Sequence, residues 1–200
     1  MSGVFPQQMS AAVAHGPVMA VHQEHVHKAN SAEVLLSSWR ALGRDSYVVH
    51  AHWPSAHLFY RPVRGLYDPL LLAESVRQAV PLLSHVAYGV PFGHRQAWEN
   101  LCFDLNSVAM VATTAPADLD LRITCSDVVR RGERLAALTM AVDITLNGQR
   151  LGTARTRFNN QPPAVYRRLR GPHADLARAA ARALPPGPPI DPREAARTRP

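Results

Sequence analysis

The sequence predicts an α+β fold in which an antiparallel sheet wraps around one long central helix. Two observations support this prediction. Residues 68–89 form a largely apolar stretch of helical length, and strand-like runs lie both before and after it. Apolar side chains occur around nearly the whole circumference of the helix, so it needs protein on most sides. A sheet curved around the helix meets that need.

The predicted helix has recognisable signals at both ends. Asp68 can accept hydrogen bonds from free N–H groups of the first turn, and Pro69 suits the first helical position. Gly89 can adopt the left-handed conformation that ends a helix. Polar residues interrupt the apolar run, so we predict a buried core helix rather than a membrane span.

Four polar residues of this helix, Glu74, Arg77, Gln78 and His85, fall within one broad strip at helical spacing. One interpretation is purely structural: an ion pair between Glu74 and Arg77 beside a hydrogen-bonded Gln78. The other is a functional site, because charges on an otherwise apolar helix are costly unless they are paired or used.

The strand predictions follow from alternating apolar residues and turn signals. Residues 33–39 and 46–53 form a predicted hairpin, and the proline-containing loop after it brings His57 and Tyr60 toward the start of the helix. By itself, His57 is also compatible with a structural role. An Asn147-Gly148 pair marks a hairpin turn further on. The later predicted strands are 101–111, 119–125, 135–146 and 150–158.

Composition indicates one domain with tails. We predict a mostly disordered leader at residues 1–28, a domain at 29–170, and a short helix with a proline-rich linker at 171–200. The net charge is +7, but residues 161–200 hold eight arginines and only three acidic residues. The body of the chain is therefore nearly neutral, which argues against a nucleic-acid partner.

Cysteine and histidine usage gives no metal or redox motif. Cys102 and Cys125 lie on predicted strands, and we expect buried thiols in a reducing compartment. His22, His25 and His27 have no cysteine or acidic residue at ligand spacing, so we predict neither a metal nor a cofactor. No signal-peptide pattern is present, and we expect a cytoplasmic protein without a membrane partner.

Several short motifs resemble those of the A-factor biosynthesis hotdog (AfsA-like) family. They are VHKA at 26–29, HWPSAH at 52–57, YDPLLLAESVRQ at 67–78 and YGVPFGH at 88–94. The similarity covers roughly residues 25–170, and the helix motif is its most specific part. It implies a hotdog fold and a role in making γ-butyrolactone or related furan signalling molecules. The implied reaction joins the 3-oxoacyl chain of an acyl carrier protein thioester to the hydroxyl of dihydroxyacetone phosphate.

The resemblance also implies roles for particular residues. Glu74 is the expected base, and Arg77 is the expected partner of the phosphate or of the oxyanion. His57 is similar in position to the loop histidine that related hotdog dehydratases pair with a helix glutamate. The predicted substrate-binding residues are Gln78, His94, Arg95 and Tyr60. Some leucines of the helix are expected to line an acyl tunnel.

Members of this family usually contain two hotdog units in one chain, whereas this sequence shows one unit and a linker. We therefore expect a homodimer, or a pseudo-dimer with a second hotdog unit. Two further hypotheses stay open. One is a non-catalytic acyl-thioester-binding or regulatory hotdog module, and the other is a basic DNA-associated regulator.

Overall fold

The structure is a computed structural model that describes residues 16–55, 57 and 59–182. The chain divides into two compact units, Met1–Pro162 and Pro163–Pro200. The elements of the first unit are β1 (Met19–Ala20), β2 (Leu36–Gly43), β3 (Ser46–Trp53), α1 (Pro69–Val86), β4 (Arg95–Leu105), β5 (Ala117–Arg131), β6 (Arg134–Leu146) and β7 (Gln149–Gln161), with single 3-10 turns at Gln23–Val26, Ser31–Glu33 and Ser107–Met110. The described part of the second unit contains α2 (Pro163–Arg170), a 3-10 turn at Gly171–Ala174 and α3 (Leu176–Ala181).

The strands of the first unit form one antiparallel sheet in the order β1-β2-β3-β5-β6-β7-β4. Its register places Val49, Leu121 and Ile144 side by side on adjacent strands. All three side chains are fully buried, so one face of the sheet supplies the core. The predicted α+β class is confirmed.

Helix α1 forms where the sequence predicts it. Asp68 Oδ1 accepts a hydrogen bond from Leu70 N at 2.9 Å, and Pro69 is the first helical residue. Gly89, with a φ of +65°, takes the left-handed conformation just after the helix. The most deeply buried apolar side chains of α1 are Leu71, Leu72, Val76, Ala79, Val80, Leu82 and Leu83. The helix is therefore the central buried element.

The segment before β2 differs from its prediction. The expectation of a mostly disordered leader is wrong for residues 16–28, which contain β1 and the 3-10 turn at Gln23–Val26. The physical reason is that Val26 is fully buried in the core, which ties this segment to the domain. Residues 1–15 lie outside the described residues.

Strand β4 also differs from its prediction. It begins at Arg95 and ends at Leu105, and residues predicted to continue it form the 3-10 turn Ser107–Met110. Asn106 causes the break, because its side chain accepts a hydrogen bond from Val108 N at 3.1 Å. Cys102 lies on this edge strand and is exposed, whereas Cys125 is buried as expected.

Beyond β7, helix α2 occupies part of the predicted domain, and the compact first unit ends at Pro162, before the predicted boundary at residue 170. The predicted short helix near residues 174–184 is observed as α3, while residues 183–200 lie outside the described residues. In the described ranges, no helix is both long and apolar enough to cross a membrane.

Candidate active site

Glu74 lies at the centre of a charged network on α1. Its two carboxylate oxygens accept hydrogen bonds from Arg77 Nε at 2.6 Å and Arg77 Nη2 at 2.8 Å. Lys28 Nζ lies 3.0 Å from Oε1, and Gln78 Nε2 donates to the same oxygen at 2.9 Å. The carboxylate is only 9% exposed, so these contacts form in a largely desolvated place.

These contacts determine the charge of Glu74. Burial alone would raise the pKa of the carboxyl group, but the hydrogen bonds from Arg77, Gln78 and Lys28 outweigh it and lower the pKa to about 2. Burial also opposes the charge on Lys28, yet hydrogen bonds to Glu33 and Glu74 raise its pKa above the ordinary value. At neutral pH, the site therefore contains an ionised carboxylate held between two cations.

Gln78 is fully buried and connects the helix to the segment before β2. Its side-chain oxygen accepts a hydrogen bond from Leu35 N at 2.9 Å, and Nε2 donates to Glu33 O at 2.8 Å as well as to Glu74. Every hydrogen-bonding group of this amide is thus occupied by protein. The contacts fix the rotamer of Gln78 and, through it, the position of the Glu74 carboxylate.

Lys28 is a site residue that the sequence reasoning missed. Its ammonium also bonds Glu33 Oε2 at 2.9 Å, so it bridges two carboxylates. Two signals could have identified it: Lys28 is the sole lysine of the chain, and it belongs to the VHKA motif. The assignment of residues 1–28 to a disordered leader kept Lys28 out of the predicted site.

A cavity of about 560 Å³ opens in front of Glu74. Its wall contains Lys28, Glu33 and Glu74, together with His57, Phe59 and Tyr60 from the loop after β3. The structure therefore brings together three predicted site residues: His57, Tyr60 and Glu74. The volume falls in the range of small-molecule sites.

The loop holds His57 in a defined orientation. Its Nδ1 accepts hydrogen bonds from the backbone N–H groups of Phe59 and Tyr60, each at 3.1 Å. A ring nitrogen that accepts cannot carry the hydrogen of a neutral imidazole, so Nε2 carries it. Burial, followed by the negative charge of Glu74, raises the pKa of Tyr60. Both side chains are therefore suited to donate hydrogen bonds.

Arg77 lines a different cavity, of about 250 Å³. This second cavity also contains His27, Arg95, Gln96 and Trp98 in its wall. Arg95 and Gln96 are the first two residues of β4, and Gln96 Nε2 donates a hydrogen bond to Asn160 Oδ1 at 2.9 Å. The predicted residue Arg95 thus lies near Arg77 but outside the wall described for the larger cavity.

Two histidines form a linked pair beside the second cavity. His85 Nδ1 lies 2.6 Å from Val90 O, which can only accept, so Nδ1 carries the hydrogen. Nε2 of His85 then accepts from His27 Nε2, 2.8 Å away. Burial, with His85, Arg95 and Arg77 nearby, lowers the pKa of His27 to about 4, so His27 is neutral at pH 7.

The structure places His94 and the buried leucines of α1 outside the described walls that they were predicted to line. His94 is buried and its Nδ1 lies 3.1 Å from Pro91 O, and it is absent from the walls of both cavities among the residues described. The buried leucines of α1 pack into the core, and the described wall of the larger cavity contains none of them. Its apolar surface comes from Ala32, Pro54 and Phe59 instead.

Comparison with known proteins supports the same interpretation of the sequence. The A-factor biosynthesis hotdog domain family is matched over residues 9–160, most of the chain. The chain belongs to this family. As an A-factor biosynthesis hotdog domain, it has the hotdog fold that the motifs predicted, and the predicted family is confirmed.

This hotdog domain is similar to named enzymes from Streptomyces. It is 42% identical over 151 residues to a 2-oxo-3-(phosphooxy)propyl 3-oxoalkanoate synthase of Streptomyces virginiae, covering 76% of the chain and 51% of that protein. It is 34% identical over 177 residues to a synthase of the same name from Streptomyces coelicolor, covering 87% of the chain and 54% of that protein. The domain spans about half the length of the curated relatives it matches.

Two solved structures also align with this hotdog domain. A conserved protein of Pseudomonas aeruginosa has a TM-score of 0.47 at 15% identity, covering 69% of the chain and 98% of that protein. A dehydratase heterocomplex from Xenorhabdus doucetiae has a TM-score of 0.48 at 10% identity, covering 74% of the chain and 96% of the matched chain.

Proposed function

We propose that this hotdog domain is an acyltransferase that joins a 3-oxoacyl group, carried by an acyl carrier protein thioester, to dihydroxyacetone phosphate. The name of the Streptomyces relatives describes the ester phosphate that this reaction forms. The observation that carries the proposal is the position of Glu74. It is an ionised, largely desolvated carboxylate in the wall of a 560 Å³ cavity that also contains a cation and two hydrogen-bond donors.

The reaction requires a proton acceptor near the attacking hydroxyl. In our proposal, the hydroxyl oxygen of dihydroxyacetone phosphate attacks the thioester carbonyl carbon while Glu74 accepts its proton. The carbon–sulfur bond then breaks, and the departing thiolate takes the proton from Glu74. The products are the ester phosphate and the free thiol of the carrier protein, so atoms and protons balance.

His57 and Tyr60 would stabilise the negative charge that develops on the carbonyl oxygen. The Nδ1 contacts of His57 leave its Nε2–H to donate, and Tyr60 offers its hydroxyl from the same wall. The acyl chain would lie against Pro54 and Phe59, the apolar side of the cavity. Gln78 would act as a positioning residue, because its amide is occupied by the backbone and by Glu74.

The sheet edge suggests how a second unit would join. Strand β4 ends the sheet, and its backbone offers hydrogen bonds to a further strand. Trp98 on this strand is 38% exposed. We propose that β4 pairs either with a second copy of the chain or with a second hotdog unit of a longer protein.

A reconstituted reaction tests the proposed activity. Purified protein is incubated with a 3-oxoacyl carrier protein and dihydroxyacetone phosphate, and mass spectrometry measures the ester phosphate and the released carrier thiol. We expect Glu74→Gln to reduce product formation by at least about a hundredfold, a loss within the range for removing a general base. The matched control is Glu133→Gln, which changes an exposed carboxylate in the turn between β5 and β6.

One result would contradict the acyltransferase proposal, and another would contradict only the role of Glu74. Binding of the acyl thioester without ester formation, in protein whose mass in solution shows the paired assembly, would indicate the non-catalytic hotdog module. Full activity in Glu74→Gln would show that this carboxylate is not the proton acceptor of the reaction. Salt-sensitive DNA binding that persists after deletion of residues 161–200 would instead favour the regulator.

A further inference from the structure

The second cavity has a chemical character that the proposed acyl transfer does not by itself explain. Arg77 and Arg95 both line it, with Gln96 and Trp98, and its described wall contains no carboxylate. By contrast, Glu33 and Glu74 line the larger cavity. The charged groups that distinguish the two cavities therefore have opposite signs. Carboxylates line the larger cavity, whereas two guanidinium groups line the smaller one.

The positive charge of the second cavity comes from its arginines. His27 also lines it, but the lowered pKa of about 4 leaves this imidazole neutral at pH 7. Arg77 directs Nε and Nη2 at Glu74, and among the described residues Nη1 makes no hydrogen bond. Nη1 of Arg77 can therefore donate hydrogen bonds to a ligand in the second cavity.

Size separates the two cavities as well. The second cavity, at about 250 Å³, lies below the usual range for sites that enclose a whole organic ligand, whereas the first, at about 560 Å³, lies within it. A compact anionic group suits the smaller volume. Guanidinium groups are the side chains best suited to bind a tetrahedral phosphate, because their planar forks match its oxygens.

We propose that the cavity lined by Arg77, Arg95, Gln96 and Trp98 binds the phosphate group of a phosphate monoester. This inference rests on the proposed function only in naming that monoester as dihydroxyacetone phosphate. The rest of the acceptor would extend past Arg77 toward Glu74, so that the phosphate and the reacting hydroxyl occupy different cavities.

This arrangement couples phosphate binding to the reactivity of the carboxylate. Arg77 is shared between Glu74 and the second cavity. A phosphate in that cavity would draw positive charge away from Glu74, and loss of this stabilisation raises the pKa of a carboxylate. Glu74, whose pKa its present partners lower to about 2, would then become a stronger base once the acceptor is bound.

Direct binding measurements test the site without requiring turnover. Isothermal titration calorimetry with dihydroxyacetone phosphate and with glycerol 3-phosphate should show binding to the whole chain. Arg95→Gln should weaken it by about 10- to 100-fold, the loss expected for a charge-assisted contact. Arg95→Lys, which keeps the charge but loses the fork, should weaken it less.

Two further variants locate the site. Arg150→Gln changes an exposed arginine away from both cavities and should leave the affinity within about twofold of the native value. Lys28→Gln removes the cation of the larger cavity and should have a smaller effect than Arg95→Gln. Thermal unfolding of each variant tests whether it is folded. If Arg95→Gln is not folded, the affinity of Arg95→Lys tests the site instead.

The outcomes separate this inference from the proposed function. Absence of phosphate-monoester binding in the native chain would overturn the site, as would a large loss in Lys28→Gln with none in either folded Arg95 variant. If binding depends on Arg95 but no ester forms in the reconstituted reaction, the phosphate site stands and the proposed acyl transfer fails. If ester forms although the Arg95 variants bind and react normally, the phosphate lies elsewhere.

Discussion

Arg77 holds Glu74 with hydrogen bonds of 2.6 and 2.8 Å, yet the two side chains line different cavities. The two residues lie less than one helical turn apart on α1, and Glu74 lines the larger cavity whereas Arg77 lines the smaller basic one. The ion pair expected from a purely structural role is present. Each of the two side chains also lines a cavity, as a functional role requires.

The contribution of Glu74 to stability should depend on pH. Its pKa is lowered from an ordinary value of 4.5 to about 2, so the ionised carboxylate stabilises the folded state above pH 4.5. This gain is lost as the pH falls from 4.5 toward 2. We expect urea unfolding to show a difference in unfolding free energy between native protein and Glu74→Gln that is large at pH 7 and shrinks below pH 4.5.

Glu133→Gln provides the control for this titration. It changes an exposed carboxylate in the turn between β5 and β6, and we expect it to alter the unfolding free energy by less than about 0.5 kcal/mol at pH 7. A Glu74→Gln difference that stayed constant from pH 7 to pH 3 would contradict the lowered pKa.

Gln78→Leu should destabilise the fold. The substitution leaves Leu35 N–H and Glu33 C=O without the partner they have now, and it removes one donor from Glu74. Because this amide is fully buried, we expect a loss of about 1–3 kcal/mol in unfolding free energy, measured by chemical denaturation. Gln149→Leu, at an exposed position on β7, should cost less than about 0.5 kcal/mol. Equal effects would mean that Gln78 does not hold the network together.

Gly152→Ala should disturb the pairing of β7 with the edge strand β4. A Cβ at this position would overlap Asp104 O, and backbone atoms cannot move aside cheaply. We expect a loss of about 1–3 kcal/mol in unfolding free energy. Gly43→Ala is the matched control, because a Cβ there meets nothing within 4 Å. Similar stability of the two variants in thermal and chemical unfolding would contradict the close approach of β4 and β7.

The two cysteines should differ strongly in reactivity. Cys102 is exposed on β4, whereas Cys125 is buried and burial raises its pKa to about 11. A chromogenic disulfide reagent at pH 8 should modify one thiol rapidly and the second only after unfolding. Cys102→Ser should abolish the fast phase, and Cys125→Ser should retain it. Two fast thiols, or a fast phase that survives in Cys102→Ser, would refute the assignment.

Local chemistry in the sequence was sufficient to predict the main elements. Asp68, Pro69 and Gly89 mark the ends of α1 through capping and backbone preferences that act within a few residues. The spacing of Glu74 and Arg77 places them on one face of any helix, whatever packs around it. The Asn147-Gly148 turn between β6 and β7 is equally local.

Only the tertiary structure decided which residues contact the polar side chains of α1. Lys28 contacts Glu74 and His27 contacts His85 across long separations in sequence, through a segment whose lack of periodicity suggested disorder. The division into two cavities, with Arg95 beside Arg77, likewise follows from how β4 begins next to the helix. Such contacts depend on how the buried faces of the sheet, the helix and the leader pack together, and no local pattern encodes that packing.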